Sequence, residues 1–342
     1  MADQVLLFAA PQRGLVLAVA CVPELTREAA QRHQLAPGSA ATLAQGLCGT
    51  LLLAATDRPD EPAKARVDLQ LDCPGPLRGL FVDANGLGQV RGMVRVGVLD
   101  REGARTDAAA PVRDDAVRPV VPAWTMQVSP HVGESPLRVF SARPLLSSAH
   151  DDQAGMLMIL RADPGADDDQ NLHRAMVPFA GSDLGAGLSA YLRADRRLPG
   201  ELAVGVLYST HQPLAAVGGA MVLPVTEDDL DTARAVGETL RIGALAETLE
   251  RAEKISTGNA HALAQEIADQ LSLGPLRLDS EVRARFMCRC SREKVVNALA
   301  RLGAPELRDM AGKDGGAEAT CDFCAHTYVI SAEELLELAS AA

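Results

Sequence analysis

Four thiols near the C-terminal end carry the most specific chemistry in this chain: Cys288-Arg289-Cys290, then thirty residues, then Cys321-Asp322-Phe323-Cys324. Each short pair puts two sulfurs side by side, and the chain between them has to fold back only once to complete a tetrahedral ligand set. Four thiolates with no further donor describe a closed, structural Zn2+ site holding one ion per chain. A catalytic zinc keeps one position open to water, and the chain has neither His-Glu-x-x-His nor Pro before a Cys-x-x-Cys. His326 follows Cys324 by two residues and is expected as a neighbour rather than a ligand, because Cys288, Cys290, Cys321 and Cys324 already fill the tetrahedron. The other histidines lack ligand spacing, and no residue is assigned a catalytic role.

The flanking residues suit a small metal-held module. Ser291 directly after Cys290 can cap a helix with Val295, Val296, Leu299 and Leu302 on one face. That helix start lies beside the first thiol pair, where amide dipoles favour thiolate. Gly312, Gly315 and Gly316 mark a turn, Thr327 to Ile330 a short strand, and Ser331 with Glu334 a capping box opening a helix through Leu335, Leu336 and Leu338. So small a module has little core, and roughly 10–16 kcal/mol of apparent zinc affinity exceeds the stability expected of it. Metal loss should unfold it. Thiolates are also what oxidants attack, so the site can be a switch as well as a staple.

Phe286-Met287-Cys288-Arg289-Cys290-Ser291-Arg292-Glu293, followed by Cys321-Asp322-Phe323-Cys324 and Tyr328, resembles the heat shock protein 33 family of redox-regulated chaperones. The likeness extends to Gly75-Pro76-Leu77, Asp83-Ala84-Asn85-Gly86 and Arg91-Gly92, to Gly155 through Leu160, and to Tyr191 through Pro199, where Ala194 replaces an expected serine. The resemblance implies an ATP-independent holdase, inactive while reduced and active under oxidative unfolding stress, and not an enzyme. It implies disulfides Cys288–Cys290 and Cys321–Cys324 in the oxidised form, unfolding client proteins as partners, and a homodimer when oxidised. Residues 99–150 exceed the family's usual connection.

Composition bounds the alternatives. With 33 basic against 45 acidic residues the net charge is −12, which disfavours a nucleic-acid partner, and 3% aromatics leave few platforms for stacking bases. Seven cysteines, the first three unpaired at short spacing, suit a reducing cytoplasm, with Cys21, Cys48 and Cys73 as small core residues. Leu15 to Cys21 could pass for the core of a signal sequence, but Asp3 stands where positive charge belongs, so a buried strand is expected. No stretch reads as a membrane span.

The fold class expected is α+β, in three parts. Residues 1–225 form an N-terminal mixed α/β chaperone domain, 226–280 a helical linker, and 281–342 the small C-terminal four-cysteine zinc-binding redox domain. In the first, Thr42 to Ala55 reads as a helix buried on more than one side and Leu80 to Val96 as a hairpin turning at Asn85-Gly86. Strands are expected at Val67–Leu71, Gly155–Leu160, Glu201–Leu207 and Gly218–Pro224, and a helix at Leu184–Tyr191. Gly86-Leu87-Gly88 lacks the Lys-Ser/Thr and helix of a phosphate loop. Residues 99–150 read as loops with short strands at Thr125–Val128 and Leu137–Phe140, and Trp124 as a local anchor or client contact. In the linker, Thr226 with Asp229 starts one helical stretch carrying Leu240, Leu245 and Leu249, and Asn259 caps another carrying Leu263, Ile267 and Leu271. Such stripes can be buried in one state and available in another.

Two other functions compete. A constitutive zinc-ribbon protein binding nucleic acid or a protein complex is opposed by the acidic balance. A thioredoxin-like oxidoreductase would need Cys321-x-x-Cys324 at a helix start after a strand, whereas a strand is expected to follow.

Overall fold

The computed structural model describes residues 3–57, 65–96, 126–127, 138–140, 142–147, 154–162, 172–180, 183–195, 199–208, 214–241, 245–256 and 259–341. They fall into two compact units, Met1–Phe286 and Met287–Ala342. The stretch 226–280, expected as a helical linker, falls within the first unit, and its last four residues, 277–280, belong to a strand. Trp124 and most of 99–150 lie outside the described residues.

Two helices follow the first hairpin, α1 (Pro23–Arg32) and α2 (Pro37–Asp57), and the first unit is built around the second. Every residue from Gly38 to Thr56 is buried. The helix is apolar on all sides because a sheet lies against each side of it. Among the described residues it is the one helix long and apolar enough to cross a membrane, a length the sequence did not suggest, since the helix starts five residues before Thr42. Its most apolar stretch is 94% buried within the fold, which makes it a core helix.

On one side of α2 lies a six-stranded sheet in the order β13 (Arg285–Phe286), β5 (Gln89–Val94), β4 (Gly79–Asn85), β3 (Arg66–Asp72), β8 (Gly155–Ala162), β9 (Leu172–Phe179). The β4–β5 turn forms where the Asn-Gly signal predicts, but the positive φ falls on Gly88 (+76) rather than on Asn85 or Gly86, and Asn85 Oδ1 accepts from the amides of Leu87 at 3.1 Å and Gln89 at 3.2 Å. On the other side lies a seven-stranded sheet in the order β12 (Arg277–Arg283), β1 (Gln4–Ala10), β2 (Leu15–Cys21), β11 (Ala216–Pro224), β10 (Glu201–Tyr208), β7 (Arg138–Phe140), β6 (Met126–Gln127). The signal-like run is thus β2, a buried interior strand. Helix α3 (Arg143–Leu146) adjoins the loop before β4, where Gly75 N donates to Leu146 O at 3.3 Å, and α4 (Leu184–Ala194) lies beside α2 against β8 and β9 of one sheet and β10 of the other, capped by Asp183, whose Oδ1 accepts from Ala186 N at 2.6 Å.

Helices α5 (Leu230–Thr239), α6 (Leu245–Ser256) and α7 (Ala260–Gln270) cover the outer face of the seven-stranded sheet. Ala233, Leu240, Leu245, Leu249, Leu263 and Ile267 join Leu6, Phe8, Leu15, Leu17 and Val19 in one buried cluster. The consecutive glycines of β11 explain the fit, because successive strand residues face opposite ways. Gly219 faces α2, where a Cβ would sit 3.0 Å from Cys48 Sγ. Gly218 faces the helices, where a Cβ would sit 2.6 Å from Leu249, and its partner Gly205 on β10 leaves the same room for Leu249.

Asp3, which argued against a signal sequence, is buried. Its carboxylate accepts from Leu25 N at 2.5 Å and Glu24 N at 3.1 Å, satisfying amides at the start of α1 that Val22 cannot cap.

The second unit holds α8 (Arg292–Ala300), α9 (Ala304–Lys313), the hairpin β14 (Gly316–Thr320) and β15 (Thr327–Ser331), and α10 (Ala332–Ala341). Its buried cluster is small: Leu307, Ala311, Ile330, Leu335 and Ala339, with Val295, Val296 and Leu299 partly covered against it. Leu302, expected on the buried stripe, falls after α8 and is 51% exposed. Gly312 lies within α9 rather than in the turn, which Gly315 and Gly316 make at φ +70 and +151.

Two predictions follow from these contacts. Leu249→Ala leaves the glycine notch unfilled and should cost about 2–5 kcal/mol, read as a lower urea midpoint. Burial pushes the Asp3 carboxyl from 3.8 up to about 6, so the folded chain binds its proton more tightly than the unfolded chain. That contribution to stability is present below about pH 4 and lost as pH rises through about 6. Asp3→Asn should therefore remove part of the fall in unfolding free energy across that window.

Candidate metal centre

Cys288 and Cys290 lie between β13 and α8, and Cys321 and Cys324 occupy the turn joining β14 to β15. That turn is fixed by its backbone: Cys321 N donates to His326 O at 2.9 Å, Ala325 N donates to Cys321 O at 2.8 Å, and Ala325 takes a positive φ of +54. Ser291 caps α8, its Oγ accepting from Lys294 N at 3.3 Å. The expected capping box forms as well, with Ser331 N donating to Glu334 Oε2 at 2.9 Å and Glu334 N to Ser331 Oγ at 3.3 Å.

These local devices bring all four sequence-predicted sulfurs together. Their Sγ atoms lie within 4.8 Å of one another, with Cys288 to Cys321 at 3.6 Å and Cys290 to Cys324 at 3.5 Å. A tetrahedron of about 2.3 Å metal–sulfur bonds has edges of about 3.8 Å. The donor set fits a thiophilic divalent ion. Every sulfur is close to every other, so spacing alone does not select which pairs would join on oxidation. Burial, followed among the raising causes by neighbouring sulfurs, pushes the Cys324 thiol up, and burial likewise raises Cys321. Crowded sulfurs hold their protons until a cation replaces them.

Three residues around the cluster carry roles that sequence reading did not assign. Tyr328 Oη donates to Cys290 Sγ at 3.1 Å, and this bond is the leading cause that pushes the Tyr328 hydroxyl up to about 12. Arg292 Nη2 reaches Glu334 Oε1 at 2.7 Å and Oε2 at 2.8 Å, tying the start of α8 to the start of α10. The hydrogen bonds at Ser331 and then Arg292 hold the Glu334 carboxyl below its usual range. Arg292 and Glu334 are far apart in sequence, and no periodicity announces such a pair. His326 is exposed, stands outside the four-sulfur group and packs edge-on against the Tyr328 ring, centroids 4.5 Å apart.

The remaining thiols are elsewhere. Cys21, Cys48 and Cys73 are buried in the first unit. Burial raises Cys48 strongly and Cys73 to about 11, as inert core thiols require. Cys321-x-x-Cys324 sits in a turn between strands rather than at a helix start, unlike a thioredoxin pair.

The fold and this cluster define a class: an α+β protein with a helix-covered mixed domain and a small four-cysteine module. The sequence profile of the Hsp33 protein family matches residues 3–331, and the chain belongs to that family. It is 29% identical over 343 residues to the 33 kDa chaperonin of a Cyanothece species, covering 99% of this chain and 97% of that protein. It is 30% identical over 319 residues to the 33 kDa chaperonin of Thermus thermophilus, covering 92% and 80%. The crystal structure of the 33 kDa chaperonin (heat shock protein 33 homolog) of Thermotoga maritima aligns at TM-score 0.65 and 19% identity, covering 99% of this chain and 98% of that one, a likeness of fold.

Titration of the reduced chain with Co2+ should give thiolate charge-transfer and tetrahedral d–d absorption saturating at one ion per chain. Cys324→Ser, at the most buried ligand, should weaken binding at least tenfold, about 1.4 kcal/mol.

Proposed function

We propose that this chain is a redox-regulated, ATP-independent holdase that protects unfolding proteins from aggregation under oxidative stress. The observation that carries the proposal is the gathering of Cys288, Cys290, Cys321 and Cys324 in a unit whose own buried cluster is only five side chains. Reduced, these four thiolates would hold one Zn2+. When bound, zinc cross-links the start of the module to its hairpin and contributes about 10–16 kcal/mol, more than so small a core supplies.

Peroxide takes two electrons from each pair of thiols and is reduced to two waters as each disulfide closes, Cys288 with Cys290 and Cys321 with Cys324, the pairing that family membership suggests. Sulfurs tied in disulfides no longer serve as four thiolate ligands, and the module loses the cross-link that keeps it folded. Residues 226–280 act as the linker that loosens next, and the 281–342 region as the redox switch. The linker's apolar stripe and the sheet face beneath it, including Leu245, Leu249, Leu263 and Ile267 over Leu6, Leu15 and Leu17, then meet unfolding clients. Each large side chain uncovered offers a client roughly 1.5–3 kcal/mol of burial. The protein acts by binding rather than turnover, works in the reducing cytoplasm, and pairs as a homodimer when oxidised.

The deciding experiment counts zinc and free thiols before and after peroxide with mild heating, while scoring suppression of a client's aggregation. One zinc per chain with no protection is expected in the reduced form, and no zinc with protection in the oxidised form. Equal protection from the reduced, metal-loaded chain would overturn the switch.

A further inference from the structure

The β1–β2 turn, Pro11 to Gly14, touches the helical segment at both of its ends. At the start, Val225 N donates to Gly14 O at 2.8 Å. There the Asp229 side chain, which accepts from Thr226 N at 3.0 Å and Thr226 Oγ1 at 2.7 Å, packs directly on Gly14 Cα. Gly14 has φ +62, and a Cβ there would overlap the Asp229 carboxylate, so this contact requires glycine. At the far end, Arg13 Nε donates to Ser272 O at 3.0 Å and the Gln12 side chain packs on Gly274 Cα, where φ is +79. Between these two backbone positions Leu273 is fully buried. Three consecutive residues, Gln12, Arg13 and Gly14, therefore grip residues 225–229 and 272–274, which are more than forty residues apart in sequence.

The same hairpin also meets the strand that leads on to Cys288. β12 pairs with β1, Ala9 opposite Arg277 and Phe8 opposite Leu278, with a register shift between Leu7 and Phe8. No residue of β12 is buried, so its backbone ladder and surface contacts such as Gln4 to Glu281 at 2.5 Å hold it without help from the core. An edge strand held this way is among the first elements to open. Its opening would leave the 272–274 grip as the next contact along the chain.

We propose that the Pro11–Gly14 turn is a two-point clasp that makes the helical segment leave its sheet as one unit and sets the threshold for that release. This rests on the reading above that release of the segment bares the client-binding surface. With both grips made, detaching either end leaves the other fixed, and the apolar stripe between stays covered. With one grip lost, local opening from that end becomes easier.

The test uses the full-length, reduced, zinc-loaded chain and three variants: Arg13→Ala, Gln12→Ala and Gly14→Ala. Amide hydrogen exchange should quicken by about five- to tenfold, the effect of one lost hydrogen bond or close contact. It should do so first in 268–274 for Arg13→Ala and Gln12→Ala and first in 225–233 for Gly14→Ala, with zinc content and exchange in β10 and β11 unchanged. Arg13 is exposed, so its variant reports even if Gly14→Ala fails to fold. Exchange matching the parent at both ends in Arg13→Ala and Gln12→Ala would overturn the clasp. Faster exchange accompanied by aggregation suppression in the reduced form supports both the clasp and the holdase reading. Faster exchange with no suppression supports the clasp and removes the claim that this segment covers the client surface.

Discussion

Four sulfurs held within 4.8 Å of one another cannot all carry charge unless a cation neutralises them. The second unit is organised by that constraint more than by its core. Its local devices serve to aim sulfurs: the Ser291 cap, the tight Cys321–Ala325 turn, the Tyr328 hydroxyl on Cys290 and the Arg292–Glu334 bridge. The Arg292–Glu334 bridge is exposed, and a bridge of this kind contributes about 0–1 kcal/mol, so it selects an arrangement more than it stabilises one.

The first unit obeys a different constraint. Burying α2 between two sheets satisfies the inner faces but leaves the outer face of the seven-stranded sheet apolar, with Leu6, Phe8, Leu15, Leu17 and Val19 in need of cover. Helices α5 to α7 supply it, and the Gly205–Gly218 notch lets Leu249 approach closer than any side chain on those strands would permit. Cover of this kind is strong in total, and both of its ends meet one turn. That division of labour, large apolar area in the middle and small polar grips at the ends, is what the release proposed above would require of the segment.

Much of this was legible in the residues. The four gathered sulfurs, the capping box at Ser331 and Glu334, the place of the turn after Asn85 and the strand at Leu15 to Cys21 are set by local chemistry: thiol spacing, hydroxyl and carboxylate caps, an amide side chain that accepts from the turn, and a continuous apolar run. The buried central helix was legible too, though not its full span, because Pro37 to Ala41 carries no periodic pattern. Strands β1, β9 and β12 were not anticipated. β12 reads Arg-Leu-Asp-Ser-Glu-Val-Arg, too polar to announce a strand, and it is one because β1 offers an open edge.

The sequence alone determined which four sulfurs form the candidate metal set and which stretches would be apolar, because both depend on residue type over a few positions. Only the tertiary structure decided what each apolar stripe rests upon, which far-off carboxylate answers Arg292, and that residues 225–229 and 272–274 share a single turn. Those contacts join residues dozens to hundreds of positions apart, and their geometry comes from strand order and sheet packing, which no local periodicity encodes.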